Sequence, residues 1–257
     1  MPVVYKMKDK TDKFTIKKDN IPDLPFRMIA VGSSGSGKTS TAIGNLLLRD
    51  DFYKKDFDPE NIFIFTGSKG DFKIATVKQQ LDIPDSNIII GFNEDIVRTI
   101  YDMVVDEFND HINQKTTPPH VLFIFDDLGY TNRMSVGRKK DCVMSLLYSN
   151  GRKYLISTLT LVQKHSQNAT VIRNNTSAGL FWNCNNRELE LIESDFNFLK
   201  GKGNKQRFHD MFRRLTGNNK HDFMVVDLSK KDVYRDKNFE PICTCMDGTN
   251  KCGNKII

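Results

Sequence analysis

Short apolar runs recur along the chain, and longer amphipathic stretches separate them. Each run contains four to six mostly apolar residues, which is typical of strands that are buried on both faces of a sheet. These predicted strands are Met28–Val31, Ile62–Phe65, Asn87–Ile90, Val121–Phe125, Tyr154–Leu159, Ala178–Trp182 and Phe223–Val226.

Amphipathic stretches between the strands predict helices. They cover residues 37–49, 94–112, 139–149 and 186–199. In the second of them, apolar side chains recur at helical spacing, at Ile96, Ile100, Met103, Val104 and Phe108. Strands that alternate with helices predict an α/β fold with a mainly parallel central sheet flanked by helices.

Composition divides the chain into three parts. Residues 1–23 are rich in Lys and Asp and predict an N-terminal arm, and residues 24–230 form the principal domain. Residues 231–257 are polar and predict a C-terminal tail. The tail carries three of the five cysteines, Cys243, Cys245 and Cys252. These three cysteines have no fourth zinc ligand close to them in the sequence, so free thiols are the simpler interpretation.

The composition excludes several classes of protein. Apolar residues make up 39% of the 257 residues and include 18 Phe, which argues against a disordered chain. No apolar run approaches the ~20 residues of a membrane helix. The first residues lack the apolar region of a secretory signal, so we expect no such signal. We therefore expect no membrane partner. The net charge of +6 is a mild indication of an acidic polymer as partner.

A phosphate-binding loop follows the first predicted strand. Residues 32–39 match the pattern G-x-x-x-x-G-K-[ST], and a helix is predicted directly after them. Backbone N–H groups of such a loop surround phosphate oxygens, the lysine contacts the terminal phosphates, and the threonine hydroxyl binds Mg²⁺. The predicted ATP-binding residues are Gly32, Ser33, Ser34, Gly35, Ser36, Gly37, Lys38, Thr39 and Ser40.

Two adjacent acids follow the buried strand Val121–Phe125. Ligands bind at the carboxyl ends of the strands in open α/β sheets. Asp126 is therefore predicted to hold Mg²⁺ together with Thr39, and Asp127 to accept a proton from attacking water. An acid beside the metal ligand favours a hydrolase over a nucleoside kinase. A helix-capping role is the structural alternative.

Three further side chains are candidates for catalysis. Gln163 follows the next predicted strand, and its amide can both donate to phosphate and accept from water. Arg152 and Arg173 flank that region, and a guanidinium suits the charge of a γ-phosphate in the transition state. Their spacing in the sequence is also compatible with other roles. Gln163 could be a solvent-exposed loop residue, and the two arginines could be ordinary surface residues or DNA contacts.

This ordered set of motifs resembles the genome-packaging ATPases of large DNA viruses and virophages, which belong to the FtsK–HerA superfamily of P-loop motors. The resemblance rests on residues 24–39, Asp126-Asp127-Leu128, Gly151-Arg152-Lys153 leading to Gln163, and Val171–Asn175. It implies a RecA-like core, a homo-oligomeric ring (hexamer or pentamer) and ATP-driven translocation of double-stranded DNA into a preformed capsid. Capsid proteins are then partners, and the host cytoplasm, at the viral factory, is the expected location.

The resemblance also implies roles for individual residues. Gln163 becomes the residue that senses the γ-phosphate, and Arg152 and Arg173 become candidates for action on a neighbouring subunit. Many cellular members carry Glu where this chain has Asp127, so the chain departs from their pattern by one methylene. Slow basal turnover is the expected consequence.

The charge excess is concentrated in one segment. Residues 200–220 hold seven bases and one acid, so this stretch accounts for the whole excess of +6. We predict that it contacts the DNA backbone without reading sequence, with a solvated charged helix as the alternative. A nucleoside or nucleotide kinase, and a DNA- or capsid-binding scaffold that hydrolyses little ATP, remain the alternative functions.

Overall fold

The computed structural model describes residues 11–128, 142–242 and 244. Within them, eight strands form one sheet with the order β3-β2-β4-β5-β1-β6-β7-β8. The first six strands in this order are parallel, and β7 and β8 are antiparallel to their neighbours. The strands are β1 (Arg27–Val31), β2 (Ile62–Thr66), β3 (Ile88–Ile90), β4 (Val121–Asp126), β5 (Ile156–Val162), β6 (Ala178–Trp182), β7 (Phe223–Asp227) and β8 (Tyr234–Arg235).

Helices cover both faces of the sheet. The helix after β1, α1, is a π-helix over Thr39–Asn45 and continues as an α-helix over Leu46–Leu48. The others are α2 (Phe72–Leu81), α3 (Glu94–Gln114), α4 (Val143–Asn150), α5 (Thr170–Asn175), α6 (Asn186–Phe196) and α7 (Asn204–Thr216). Successive strand side chains point to opposite faces, so Met28 of β1 packs with α1 and α2, whereas Ile29 packs with α3, α4, α6 and α7. The predicted α/β class is confirmed.

The buried stripe of α3 differs from the predicted one. Val97, Tyr101, Val104 and Phe108 face the core, whereas Ile96 and Met103 are exposed. The buried set follows the spacing i, i+4, i+7, i+11 of a single helix face. The predicted stripe combined two faces because it joined the exposed Ile96 and Met103 to the buried Val104 and Phe108.

The segments on either side of the predicted principal domain pack against the same core. Before residue 24, Ile21 is 1% exposed, and Ile16 pairs with Leu24. After residue 230, β8 extends the sheet, and Phe239 is buried. Each segment contributes only a few apolar side chains, which gives a weak signal in the sequence. Cys243, Cys245 and Cys252 lie outside the described residues.

Asp23 connects these two segments. Its carboxylate accepts hydrogen bonds from Lys17 and Lys230 and from the backbone N–H of Lys18. Burial alone would raise the pKa of Asp23, but these hydrogen bonds outweigh it and lower the pKa below its ordinary value. The ion pairs therefore attach the N-terminal segment to the loop after β7.

Candidate active site

The phosphate loop joins β1 to α1, and glycine is needed at three of its positions. Gly35 and Gly37 have φ of +71° and +97°, a region that L side chains rarely adopt. A Cβ at Gly32 would lie 2.7 Å from the Cβ of Trp182. The loop is therefore compatible with the close backbone approach that phosphate binding requires.

Lys38 lies within this loop. Its Nζ donates to the carbonyl oxygens of Gly32 at 2.6 Å and Ser33 at 3.1 Å. Burial lowers the pKa of Lys38, while the charges of Asp127 and Asp126 act in the opposite direction. The ammonium is thus held beside the loop backbone and faces the two acids across the site.

Thr39 and Asp126 meet at the end of the sheet, as the sequence predicted. The Thr39 hydroxyl donates to Asp126 Oδ1 at 3.3 Å. Burial is the main cause that raises the pKa of Asp126 to about 6, and the charges of Asp127 and Asp71 add to it. A hydroxyl and a buried carboxylate side by side are the oxygen ligands that Mg²⁺ prefers.

Asp127 and Gln163 also come together. Strand β5 lies between β1 and β4, with Asp126 opposite Leu161 and Val31 opposite Val162. Gln163, at the end of β5, therefore stands between the phosphate loop and the acids. Its Nε2 donates to Asp127 Oδ1 at 3.2 Å. The site brings these two predicted residues into direct contact.

Gln167 holds the loop that carries Gln163. Its Oε1 accepts from the backbone N–H groups of Gln163 at 3.0 Å and Lys164 at 2.9 Å. Asp127 itself has φ of +49°, an uncommon conformation for a residue other than glycine. Local backbone geometry thus fixes both members of the Asp127–Gln163 pair.

The two candidate arginines lie elsewhere. Arg173 Nη1 contacts Asp195 Oδ2 at 3.0 Å, and His165 Nε2 contacts the same oxygen at 2.8 Å, so Arg173 is engaged within its own subunit. Arg152 precedes β5 and lies near Arg27, at the opposite edge of the sheet from Gln163. The seven residues of β5 separate these edges by roughly 20 Å.

Four residues near the site were not predicted as part of it. Asp71 caps α2 by accepting from the backbone N–H of Lys73, and the charges of this pair act on Asp126 and Lys38. His221 Nδ1 contacts the backbone oxygen of Ser36 at 3.0 Å. Lys220 lies over Gly35. Only the tertiary fold brings these residues to the phosphate loop, so no local pattern in the sequence identifies them.

The basic segment 200–220 contains helix α7, whose apolar face is buried through Phe208, Met211 and Phe212. Arg213 and Arg214 are exposed in its last turn. The segment thus presents basic groups to solvent, which is compatible both with contact to the DNA backbone and with a solvated charged helix. Lys220 is also exposed, but it lies beside the phosphate loop rather than on α7.

The residues of the site fit a Mg²⁺-bound nucleoside triphosphate. Ser36 Oγ is buried and has no hydrogen-bond partner in the described part of the chain, although it lies in the phosphate loop. Among the described residues, no group of three or more His, Cys, Asp or Glu could hold a metal ion by itself. Mg²⁺ typically takes only one or two carboxylates and completes its shell with phosphate and water, which agrees with the pair Thr39–Asp126.

Solved viral NTPases share this fold. The genome packaging NTPase B204 of Sulfolobus turreted icosahedral virus 2, in complex with AMP, superposes with a TM-score of 0.56 at 10% identity, covering 85% of this chain and 98% of that one. Its AMPPCP complex gives a TM-score of 0.54 at 10% identity, with 82% and 96% covered. B204, the DNA-packaging ATPase of Sulfolobus turreted icosahedral virus, gives 0.52 at 9% identity, with 83% and 97% covered.

Sequence comparison identifies the family. No curated protein sequence matches the chain. None of the helices in the described ranges has the length and apolar character needed to span a membrane. The family model of the poxvirus A32 protein matches residues 13–255, nearly the whole chain. The predicted resemblance is confirmed, and the chain belongs to the poxvirus A32 protein family.

Proposed function

We propose that this protein is the ATP-hydrolysing motor that moves double-stranded viral DNA into a preformed capsid. The observation that carries the proposal is the convergence of Lys38, the Thr39–Asp126 pair and the Asp127–Gln163 pair at one edge of the sheet. Membership of the poxvirus A32 family and the likeness to packaging NTPases support an ATPase of this type.

Each side chain has a task in hydrolysis. Lys38 neutralises charge on the terminal phosphates, and Thr39 and Asp126 would hold Mg²⁺, which supplies charge stabilisation to the transferring phosphoryl group when bound. Asp127 accepts a proton from the attacking water. Gln163 already donates to Asp127, so its amide orients that carboxylate and stands where a γ-phosphate would be detected.

Assembly and partners are also proposed. A homo-oligomeric ring, hexamer or pentamer, would place an arginine of one subunit at the nucleotide of the next. Arg152 and Arg173 are the two candidates for this arginine, and Arg173 contacts Asp195 of its own subunit. Duplex DNA and capsid proteins are the proposed partners, in the host cytoplasm at the viral factory.

The test compares ATP hydrolysis with and without long duplex DNA. We expect DNA to stimulate the wild-type protein and Lys38→Ala to abolish turnover. Lys153→Ala, which removes an exposed lysine near the opposite edge, should leave turnover unchanged. Normal hydrolysis by Lys38→Ala would contradict the assignment of the phosphate loop. Transfer of phosphate to a small acceptor without DNA would support a kinase, and ATP binding without turnover would support a scaffold.

A further inference from the structure

A cavity of about 430 Å³ lies beside the phosphate loop, on the side away from the acids. Ser33 and Ser36 form one wall, and Trp182 and Asn183 at the end of β6 form another. The third wall is formed by residues 216–220, at the end of α7 and the start of the connection to β7. We name residues 217–221 of this connection the 217–221 loop. A volume of this size lies in the range of ligand-binding pockets.

The 217–221 loop touches the phosphate loop directly. His221 Nδ1 contacts the backbone oxygen of Ser36 at 3.0 Å. A Cβ built at Gly35 would lie 3.0 Å from Lys220 Nζ, and one built at Gly37 would lie 3.1 Å from His221 Nδ1. The two loops are therefore in contact at two successive residues of the 217–221 loop.

The order of the strands gives the direction of a bound nucleotide. Asp126 and Gln163 lie on β4 and at the end of β5, to one side of β1, whereas β6 lies on the other side. A γ-phosphate that faces Asp126 and Gln163 leaves the rest of the nucleotide to extend across β1 toward β6. The cavity occupies that position.

The chemistry of the cavity suits a nucleoside. Among its described lining residues none is Asp or Glu, and Lys220 has no ion-pair partner in the part of the chain that the structure describes. Ser36 Oγ and Trp182 Nε1 are buried polar atoms without a described hydrogen-bond partner. Asn183 and the other amides of the lining offer both donors and acceptors to a base or a ribose.

We propose that the 217–221 loop and the end of β6 bind the nucleoside part of the nucleotide, and that Lys220 is a second phosphate-binding cation opposite Lys38. This inference rests on the proposed function. It adds a binding element that no motif in the sequence indicates.

Trp182 makes the first test direct because it is the only tryptophan of the chain and lines the cavity. The full-length protein is titrated with MgATP and with magnesium tripolyphosphate, which has the phosphates but no nucleoside. We expect both to bind in calorimetry, ATP at least about tenfold more tightly, a difference of about 1.4 kcal/mol. Only ATP should change the emission of Trp182.

The outcomes separate the two proposals. If both ligands bind with equal affinity, or if they change the emission of Trp182 equally, the nucleoside lies elsewhere and this inference is wrong, while the phosphate loop keeps its role. If neither ligand binds, the proposed ATPase function fails and this inference fails with it.

A pair of lysine variants tests Lys220. We expect Lys220→Ala to raise the Kd for ATP by about tenfold, because a charge-assisted contact to phosphate is lost. Lys202→Ala removes an equally exposed charge from the same basic segment and should change the Kd less than about twofold. Thermal unfolding of both variants checks that the fold is intact. Equal ATP affinity in the two variants would overturn the role of Lys220.

Discussion

Gln163 offers the sharpest test of the catalytic arrangement. Gln163→Ala removes a hydrogen bond to Asp127 Oδ1 measured at 3.2 Å, at an exposed position. We expect the free energy of unfolding to fall by no more than about 1 kcal/mol, because exposed hydrogen bonds contribute little. Such a change moves the Tm by about 2–4 °C in a protein of this size. Turnover should fall about 100-fold, which is far more than this small loss of stability can explain, because a hydrogen-bond donor that orients the catalytic carboxylate acts in the transition state.

A glutamate at the same position tests the electrostatic part of the argument. Gln163→Glu keeps the size of the side chain but places a carboxylate near Asp127. At a separation of about 3.2 Å and an effective dielectric constant of about 20, the repulsion is about 5 kcal/mol, which solvent and side-chain rotation reduce to roughly 1–2 kcal/mol. This variant should therefore be no more active at pH 8 than Gln163→Ala.

The assay is steady-state ATP hydrolysis with saturating duplex DNA, and calorimetry measures nucleotide affinity alongside it. Gln206→Ala is the matched control, because Gln206 is an exposed glutamine whose Nε2 donates to Asp210 Oδ1 at 2.8 Å, away from the site. Its turnover should equal that of the wild type. If Gln163→Ala is as active as Gln206→Ala, or if its Tm falls enough to explain the loss, the catalytic role of Gln163 is refuted.

Three other predictions concern stability and DNA binding. Asp23→Asn should lower the Tm at pH 7. Because the pKa of Asp23 is lowered in the fold, the stability that this carboxylate contributes is present above pH ~4 and is lost as the pH falls further. The thermal unfolding curves of the variant and the wild type should therefore converge in acid. Arg173→Ala should lower the Tm, because it breaks the pair with Asp195; an unchanged Tm with lost turnover in mixed oligomers would instead indicate action on a neighbour. Replacing Arg213 and Arg214 together by alanine should weaken duplex binding and reduce the slope of log K against log salt by about 2, and an unchanged slope would exclude this part of α7 from the DNA contact.

Much of the fold follows from the sequence because most of its strands are buried on both faces. The run Val121–Phe125 has every side chain in the core, and such a run can be identified from composition alone. The phosphate loop is equally local, since its glycines and Lys38 perform their tasks within a few residues of each other. These features were predicted close to their observed limits.

The remaining features depend on contacts between distant residues. No local pattern in the sequence predicts that β5 lies between β1 and β4. This strand order is nevertheless what brings Gln163 next to Asp127. The same holds for Arg173, which looked available in the sequence but meets Asp195 of α6. Lys220 was assigned to the DNA-binding segment because of its charge, whereas the fold carries it to Gly35. In each case the partner is set by strand order and helix packing.

The position of the 217–221 loop gives helix α7 a direct connection to the nucleotide site. The helix presents Arg213 and Arg214 to solvent and leads straight into the loop that contacts Ser36 and Gly35. A change of this contact between nucleotide states would act on the segment that begins at the C-terminal end of α7. Linkage then requires reciprocity: if ATP alters the affinity of α7 for DNA by some factor, DNA alters the affinity for ATP by the same factor. A motor needs such coupling, and we expect the 217–221 loop to transmit it.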